Sequence, residues 1–387
     1  MNGKQTTEKL AVLSLSLMLT SAYAVSTVLP QMLGFFDGYR RDQVELLISV
    51  PSFAVTAMII LNAWLARLLR ERMAIVTGLL LLTLGGIAPV FTSSYWLIFG
   101  SRILLGTGIG MINARAISII SERYQGQEKS ALLGYRGSAE VLGNALMTLA
   151  AGQLLKIRWN AAFWVYALGF GILVLYLLFV PVKAPAGISH AEETEIRQKS
   201  FSGREFLFTL PYALLGFTVI CINVSNTMRI PTLVLEKQFT TESGASVILS
   251  VMLAMGIFSG LSFGRLQKLF REKLTAISML LVGLGLLLIA LAGNLALVVA
   301  GAVLCGFFYT VVLTCIFNTV SDRLPLALVN TATSEVLVGC NLGAALAPVV
   351  LRVIGFCSGA SVAPFFAYAV AAALILAPAA SGARYQY

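Results

Sequence analysis

Four charged side chains, Arg102, Arg115, Arg136 and Glu140, interrupt two long apolar stretches between residues 96 and 155. A charge at the centre of a bilayer helix costs roughly 2.5–3.5 kcal/mol on insertion scales, so such side chains usually serve a purpose. They can pair with one another and hold helices together, or they can bind a charged solute. Arg136 and Glu140 have the spacing that allows an ion pair on one helix face.

The overall composition indicates what kind of element carries these side chains. Hydrophobic residues make up 58% of the 387 residues, charged residues make up 11%, and the mean hydropathy is +0.88. A soluble domain has about a quarter charged residues, so we expect a polytopic membrane protein. Twelve apolar runs are long enough to cross a hydrocarbon core of about 30 Å as helices: 8–33, 44–66, 73–93, 96–120, 129–155, 160–181, 206–235, 244–266, 274–292, 295–320, 326–353 and 361–380.

The distribution of basic residues predicts the orientation of these spans. The formal net charge is +10, and with the amino terminus inside, most of the 27 Lys and Arg residues fall in loops assigned to the cytoplasm. Cytoplasmic loops of membrane proteins carry this excess. We therefore expect a multi-pass protein of the cytoplasmic membrane with both termini in the cytoplasm, and the charge requires no nucleic acid as a partner.

The chain contains an internal repeat. The fourth and tenth apolar runs match without a gap at an offset of 200 residues: Leu104 with Leu304, Gly106 with Gly306, Ser121 with Ser321, and Arg123 with Arg323. Two six-helix halves in the same orientation form the parallel-repeat architecture of one transporter class. We expect an amino-terminal bundle at 1–181, a polar cytoplasmic linker at 182–204, and a carboxyl-terminal bundle at 205–387.

Several stretches resemble the major facilitator superfamily of secondary transporters. Residues 62–72 resemble its loop motif between helices 2 and 3, and Arg102 followed by Gly106 and Gly110 resembles its fourth-helix motif. The resemblance covers the whole chain. It implies an all-α polytopic membrane fold, with twelve transmembrane helices as two parallel six-helix repeats. It also implies a gating role for the basic residues of the loop motif and of its copy in the second half: Arg67, Arg70 and Arg265.

The sequence contains no constellation typical of catalysis or metal binding. No Gly-x-x-x-x-Gly-Lys-Ser/Thr loop is present, so nucleotide hydrolysis by this chain is not expected. The single histidine, His190, lies in the linker, and the five cysteines lack metal-ligand spacing. We expect no cofactor, no metal site and no enzyme; a membrane-embedded enzyme or a receptor is the remote alternative.

Glu335 and Glu140 are the candidate proton carriers. They are the only carboxylates that the predicted spans place deep in the membrane, and the sequence around them is similar. A buried glutamate can be protonated or ionised according to its surroundings. Glu335 is the first choice because no arginine lies within one helical turn of it. A permanent ion pair of Glu140 with Arg136, and a hydrogen-bonded packing role for Glu335, are the alternatives.

The arginines and three amides are the candidate solute-handling residues. The resemblance implies proton or substrate handling for Arg102, whereas Arg115 lies about 220° away around the same predicted helix. Arg115 and Arg136 come from neighbouring helices and could together bind an anion. Arg229 either joins this set or extends toward lipid headgroups. Amides in membrane helices bind a solute or join helices, and both roles remain open for Asn223, Asn226 and Asn341.

These features predict a secondary active transporter, coupled to protons, that moves a small organic solute by alternating access. Four intramembrane arginines against two glutamates favour an anionic or zwitterionic solute. The alternative is a broad-specificity exporter of drugs and lipophilic compounds, because Gly134 and Gly143 resemble the start of the glycine motif of the exporter branch. The expected partners are a small-molecule substrate, protons and the lipid bilayer, and we expect a monomer.

Overall fold

The computed structural model describes residues 3–68, 71–124, 126–181, 203–323, 326–357 and 363–370. Within these ranges the regular elements are all helical. Eight of the described helices are long and apolar enough to cross a membrane, and a bent pair at the amino terminus makes up to nine. The all-α polytopic fold predicted from the sequence is confirmed.

The first half of the chain contains seven α-helices: α1 Gly3–Ser14, α2 Leu29–Phe35, α3 Arg41–Leu68, α4 Glu71–Ile87, α5 Tyr95–Arg123, α6 Gly126–Leu154 and α7 Leu168–Phe179. Short 3₁₀ turns connect or extend them at Leu15–Met18, Ser21–Tyr23, Ser26–Val28, Ala88–Val90 and Trp159–Ala167. Each of the first six predicted apolar runs therefore corresponds to one helical passage, and the first passage is broken.

The second half contains α8 Gly203–Glu236, α9 Glu242–Phe270, α10 Leu274–Ala290, α11 Leu295–Arg323 and α12 Leu326–Cys357, and the described residues 363–370 are also helical and are labelled α13. A 3₁₀ turn, Arg271–Lys273, precedes α10. Most of the predicted linker, residues 182–202, and most of the twelfth predicted run lie outside the described residues. The division into two bundles at the linker stays a prediction.

The first passage bends by 45° at a run of hydroxyl residues between α1 and α2. Serine and threonine side chains compete with the backbone for its hydrogen bonds, and here Ser14 donates to the carbonyl of Ala11 while Ser21 donates to that of Met18. Irregular backbone at membrane depth is tolerated where protein or a cavity surrounds it. The break consequently marks a place where other side chains must bind freed backbone groups.

Pairs of close helix contacts repeat at an offset of 200 residues. A Cβ on Gly143 would lie 2.1 Å from the carbonyl oxygen of Leu17, and one on Gly343 would lie 2.2 Å from that of Phe217. The backbones touch because these positions lack a side chain. Under this register Glu140 corresponds to Cys340, so the sequence similarity that paired Glu140 with Glu335 does not reflect equivalent positions in the fold.

The two halves meet along two helix pairs. Helix α3 packs against α12, and α6 packs against α9. Helix α6 is not among the eight helices that are apolar enough to span alone, because it carries Arg136, Glu140 and Asn144. A helix with such a polar stripe is stable in a membrane when the stripe faces protein or a water-filled space, so α6 points to the functional site.

Small-residue packing between α3 and α5 can be tested at one glycine. A Cβ on Gly106 would lie 2.2 Å from the carbonyl oxygen of Pro51, whereas one on Gly100, on the same helix, would meet nothing within 4 Å. We expect Gly106→Ala to destabilise the protein by about 2 kcal/mol, since forcing atoms into a packed contact costs about 1–3 kcal/mol. Gly100→Ala should be neutral or stabilising because alanine favours helix. Thermal unfolding of the two purified variants in detergent makes the comparison, and equal melting temperatures would contradict it.

Candidate functional site

A cavity of about 310 Å³ lies between the two halves. Its walls come from the broken first passage and from α3, α5, α6, α8, α9, α11 and α12. The apolar part of the lining includes Ile109, Val141, Ile220, Leu253 and Phe317. The polar part comprises four amides, five hydroxyl groups and one carboxylate: Asn113, Asn144, Asn223, Asn341, Thr20, Tyr23, Ser52, Thr227, Tyr309 and Glu140.

The carboxylate of Glu140 is held by an arginine that lies behind the cavity wall. Arg136 Nη1 lies 3.7 Å from Glu140 Oε2, and Arg136 Nη2 donates to Asn113 Oδ1 at 2.6 Å. Arg136 is therefore shared between α5 and α6, and its Nε is buried without a hydrogen-bond partner. A pair at 3.7 Å leaves the Glu140 oxygens available for a further donor or for a proton.

The amides of the lining differ in how their atoms are used. Asn144 is only 7% exposed, and its Oδ1 has no hydrogen-bond partner. Asn341 donates its Nδ2 to the carbonyl of Leu337, one turn earlier on α12, at 2.9 Å. Tyr23 and Ser52 hydrogen-bond to each other across the first passage and α3. The wall thus keeps an unused acceptor at Asn144.

Glu335 lies outside the lining of this cavity. Its Oε2 accepts a hydrogen bond from Thr209 on α8, and its Oε1 is buried without a partner. Of the two carboxylates predicted to carry protons, the structure brings only Glu140 to the cavity. Sequence similarity alone could not distinguish them, because both residues lie at similar distances beyond a cytoplasmic turn.

Arg102 is fully buried at the break of the first passage. Its Nη2 donates to the carbonyl of Ala22 at 2.6 Å, its Nε to that of Leu47 at 3.0 Å, and its Nη1 to Tyr166 Oη at 3.0 Å. Tyr166 in turn donates to the carbonyl of Ser21 at 2.8 Å. These are neutral partners from three other helical passages, so the guanidinium binds backbone and is not among the residues that line the cavity.

Of the remaining predicted residues, Asn223 lines the cavity and the others do not. Asn226 is 1% exposed and lies behind the wall with its Oδ1 unpartnered. Arg115 is partly buried and is not part of the lining. None of the four arginines expected to handle charge therefore lines the described cavity. The excess of arginine over glutamate in the spans, which favoured an anionic solute, is not found in this lining.

Arg229 belongs to a buried ion cluster that the sequence did not predict. Its Nη2 lies 3.0 Å from Glu45 Oε1, and Arg41 Nε donates to the same oxygen at 3.1 Å. Glu45 is 1% exposed, but it lies at the edge of the second apolar run, so the sequence search for carboxylates deep within the spans did not identify it. The signal was the helical spacing of Arg41 and Glu45 at the edge of the second run. We call Arg41, Glu45 and Arg229 the outer cluster.

Further polar contacts join the halves at the same end of the bundle. Asp42 Oδ2 lies 3.2 Å from Arg352 Nη1 on α12, and Gln31 donates to Glu242 at the start of α9. The ion pairs described at the opposite end, which the charge bias predicts to be cytoplasmic, join helices of the amino-terminal half to one another. Arg123 binds Glu8 at 2.9 Å there.

The basic residues predicted to gate the loop motif lie largely outside what the structure describes. Arg70 lies outside the described residues, the side chain of Arg67 is not described, and Arg265 is exposed near the end of α9. Within the described ranges no group of three or more His, Cys, Asp or Glu residues could hold a metal ion.

Comparisons with known proteins agree with this architecture. Residues 11–348 match the family model described as Major Facilitator Superfamily. Among curated proteins, Protein TsgA of Salmonella newport (strain SL254) is 25% identical over 184 residues, and Protein TsgA of Escherichia coli O17:K52:H18 is 26% identical over 184 residues. Each match covers 45% of this chain and 46% of the relative, so the chain spans about half the length of the curated relatives it matches.

Solved structures are similar in fold over nearly the whole chain. A bacterial homologue of the human lysosomal transporter Spinster, in an inward-facing and occupied conformation, has a TM-score of 0.77 at 15% identity and covers 98% of this chain and 96% of its own. A peptide transporter of the POT type, in complex with sulfate, has a TM-score of 0.74 at 14% identity, covering 97% and 94%. Identities this low establish likeness of fold alone.

The contacts of Arg102 predict which hydroxyl group stabilises the fold. Tyr166→Phe removes the acceptor of Arg102 and the donor to Ser21 while keeping the ring. Leaving buried polar groups unsatisfied costs about 1–3 kcal/mol, and more for charged groups, so we expect a loss of about 3 kcal/mol. Tyr135→Phe is the control, because Tyr135 is 62% exposed. Melting temperatures of the purified variants provide the measurement, and an unchanged value for Tyr166→Phe would show that these bonds contribute little.

Proposed function

The chain belongs to the major facilitator superfamily, and from this premise we propose that it is a proton-coupled secondary active transporter of a small organic solute that works by alternating access. The observation that carries the proposal is the cavity between the two halves, with Glu140 in its wall. Parallel-repeat transporters bind solutes at such an interface, and the halves rock around that site.

The contacts at the outer end support the alternating-access part of the proposal. Glu45 with Arg229, and Asp42 with Arg352, join α3 to α8 and α12. Ion pairs between two moving bodies are the kind of contact that a rocking motion breaks. In the proposed cycle they close the cavity toward the outside, and their rupture opens it.

Glu140 is the proposed proton carrier. It is the carboxylate of the described cavity lining. The distance of 3.7 Å between Arg136 Nη1 and Glu140 Oε2 exceeds that of a good hydrogen bond, so a proton on Glu140 can take the place of this ion pair. Ionised Glu140 offsets the charge of Arg136, whereas protonated Glu140 can donate a hydrogen bond into the cavity. Glu335, which accepts from Thr209 outside the lining, is the second candidate.

The proposed solute carries no net charge. Of the anionic and zwitterionic classes expected from the sequence, the zwitterionic one fits better, since the lining described here contributes no Lys or Arg and the nearby guanidinium of Arg136 is already paired with Glu140. Broad-specificity export of lipophilic drugs has less support, because ten polar side chains surround the space. The protein is proposed to act as a monomer in the cytoplasmic membrane, with both termini in the cytoplasm, and to transport rather than catalyse.

Proton movement that depends on a solute tests the proposal. Proteoliposomes loaded with a pH-sensitive dye are given D-glucose, L-alanine, lactate or tetraphenylphosphonium in turn, with and without an imposed pH gradient. We expect at least one net-uncharged solute to move protons, and Glu140→Gln to abolish this coupling because glutamine cannot exchange a proton. Solute flux without any response to the gradient would contradict proton coupling.

Two further variants locate the carrier. Glu128→Gln lies on the same helix, is half-exposed, and loses an ion pair with Lys9; it should leave coupling unchanged. Glu335→Gln should also retain coupling. If Glu140→Gln couples normally and Glu335→Gln does not, the assignment of the carrier to Glu140 is wrong, although the transporter remains proton-coupled.

Opening of the outer end provides a second test. Breaking one partner of a buried ion pair costs about 3–5 kcal/mol, so Glu45→Gln should shift the population toward an outward-open state by about tenfold or more. Cys340 lines the cavity and is 8% exposed. Labelling of Cys340 by a membrane-impermeant maleimide added to intact cells, in a Cys357→Ser background, should therefore increase. The control is Lys156→Gln, which removes an exposed charge at the same end of the bundle. Equal labelling of the parent protein, Glu45→Gln and Lys156→Gln would contradict the gating role.

A further inference from the structure

We propose that the cavity recognises a neutral solute rich in hydroxyl groups, such as a monosaccharide or a cyclic polyol, and that Asn144 is a specificity-determining residue that accepts a hydrogen bond from it. This inference rests on the proposed function, and it narrows the net-uncharged solute to one chemical class. The observation behind it is the state of the polar atoms in the cavity wall.

The wall presents acceptors that the protein itself leaves unused. Asn144 is more than nine-tenths buried, lines the cavity, and keeps Oδ1 without a partner. An unsatisfied buried acceptor costs about 1–3 kcal/mol, and a bound donor removes that cost. Glu140, on the same helix face one turn earlier, adds carboxylate oxygens. A solute that fits this wall must therefore carry donors.

A second wall, on the opposite half, also offers an acceptor. Because Asn341 uses one Nδ2 hydrogen on the carbonyl of Leu337, its Oδ1 acceptor and its second Nδ2 hydrogen remain for a solute. Asn113 is arranged in the reverse sense: its Oδ1 accepts from Arg136, so its Nδ2 remains as a donor. The amides around the cavity therefore offer both donors and acceptors. This combination matches hydroxyl groups, each of which donates one hydrogen bond and accepts two.

Charge and size narrow the class further. An anion would find no Lys or Arg in the described lining, and the nearby guanidinium of Arg136 is already paired with Glu140. A permanent cation would compete with Arg136 for the same carboxylate while leaving the amide donor of Asn113 unused. The volume of about 310 Å³ lies at the lower end of the roughly 300–1,000 Å³ typical of small-molecule sites. A compact hydroxylated solute satisfies all three conditions. A zwitterion fits less well, because its ammonium group would compete with Arg136 for Glu140 and its carboxylate would find no Lys or Arg in the described lining.

Ligand-dependent thermal stabilisation of the purified full-length protein tests the class, because a solute that binds only the folded state raises its melting temperature. The probes are D-glucose and myo-inositol as neutral hydroxylated solutes, L-alanine as a zwitterion, lactate as an anion, and tetraphenylphosphonium as a cation. We expect stabilisation by at least one of the two hydroxylated probes and by none of the other three.

Three matched substitutions then test the residues. Asn144→Leu should weaken binding of the stabilising probe about tenfold, since one hydrogen bond to a buried acceptor is lost. Asn341→Leu, on the other half, should weaken it similarly and serves if Asn144→Leu does not fold. Asn160→Leu is the control: Asn160 also has an unpartnered Oδ1, but it donates to the carbonyl of Val90 away from the cavity. It should bind the probe as the wild type does.

Several outcomes would overturn the inference. Stabilisation by neither hydroxylated probe overturns the solute class. Stabilisation by L-alanine alone does the same in favour of a zwitterion, and lactate or tetraphenylphosphonium as the strongest probe shows that a charged solute is bound. Unchanged affinity in both cavity variants removes the assigned role of the amides. The transporter proposal fails separately, when no solute moves across proteoliposomes.

Discussion

The hydrogen bonds of Arg102 at the broken first passage are the interaction on which the rest of the structure depends. A bilayer cannot hydrogen-bond free backbone groups, so the irregular segment that contains Ser21 and Ala22, just after the bend, draws donors from the protein. A buried guanidinium supplies them, together with the hydroxyl group of Tyr166, and the same group binds the carbonyl of Leu47. One side chain thereby connects four passages of the amino-terminal half, and its charge is dispersed over neutral acceptors.

The break and the cavity are consequences of each other. Thr20, Ala22 and Tyr23, which belong to the irregular segment, line the cavity, and irregular backbone is stable there because one side faces protein and the other faces a polar space. Arg102 holds that segment in place from behind without entering the space. The arginine that the family resemblance associated with substrate handling thus positions the wall, while the carboxylate of Glu140 and four amides line the cavity.

The internal repeat preserves packing and varies chemistry. Close contacts recur at Gly143 and Gly343, 200 residues apart. At each glycine two helix backbones touch, which leaves no room for a side chain. Glu140 and Asn144 line the cavity from the first half, and the equivalent positions in the second half, Cys340 and Ala344, line it too. The two halves therefore provide one scaffold, and the carboxylate of the described lining belongs to the first half. In the proposed mechanism, this asymmetry places the proton-carrying group on one of the two rocking halves.

Local properties of the sequence determined the all-helical membrane fold, its spans and the offset of its repeat. Hydropathy and the spacing of small residues are properties of one helix or of a pair of helices, so they can be predicted from the order of residues along the chain. Only the tertiary structure decided which charges face the cavity. Glu45 lay at the edge of a predicted run, yet Arg229, far away in the sequence, buries it in an ion pair. Glu140 and Glu335 resembled each other along the chain, but helix rotation and register bring Glu140 alone of the two to the cavity, because which face a helix turns inward depends on its neighbours.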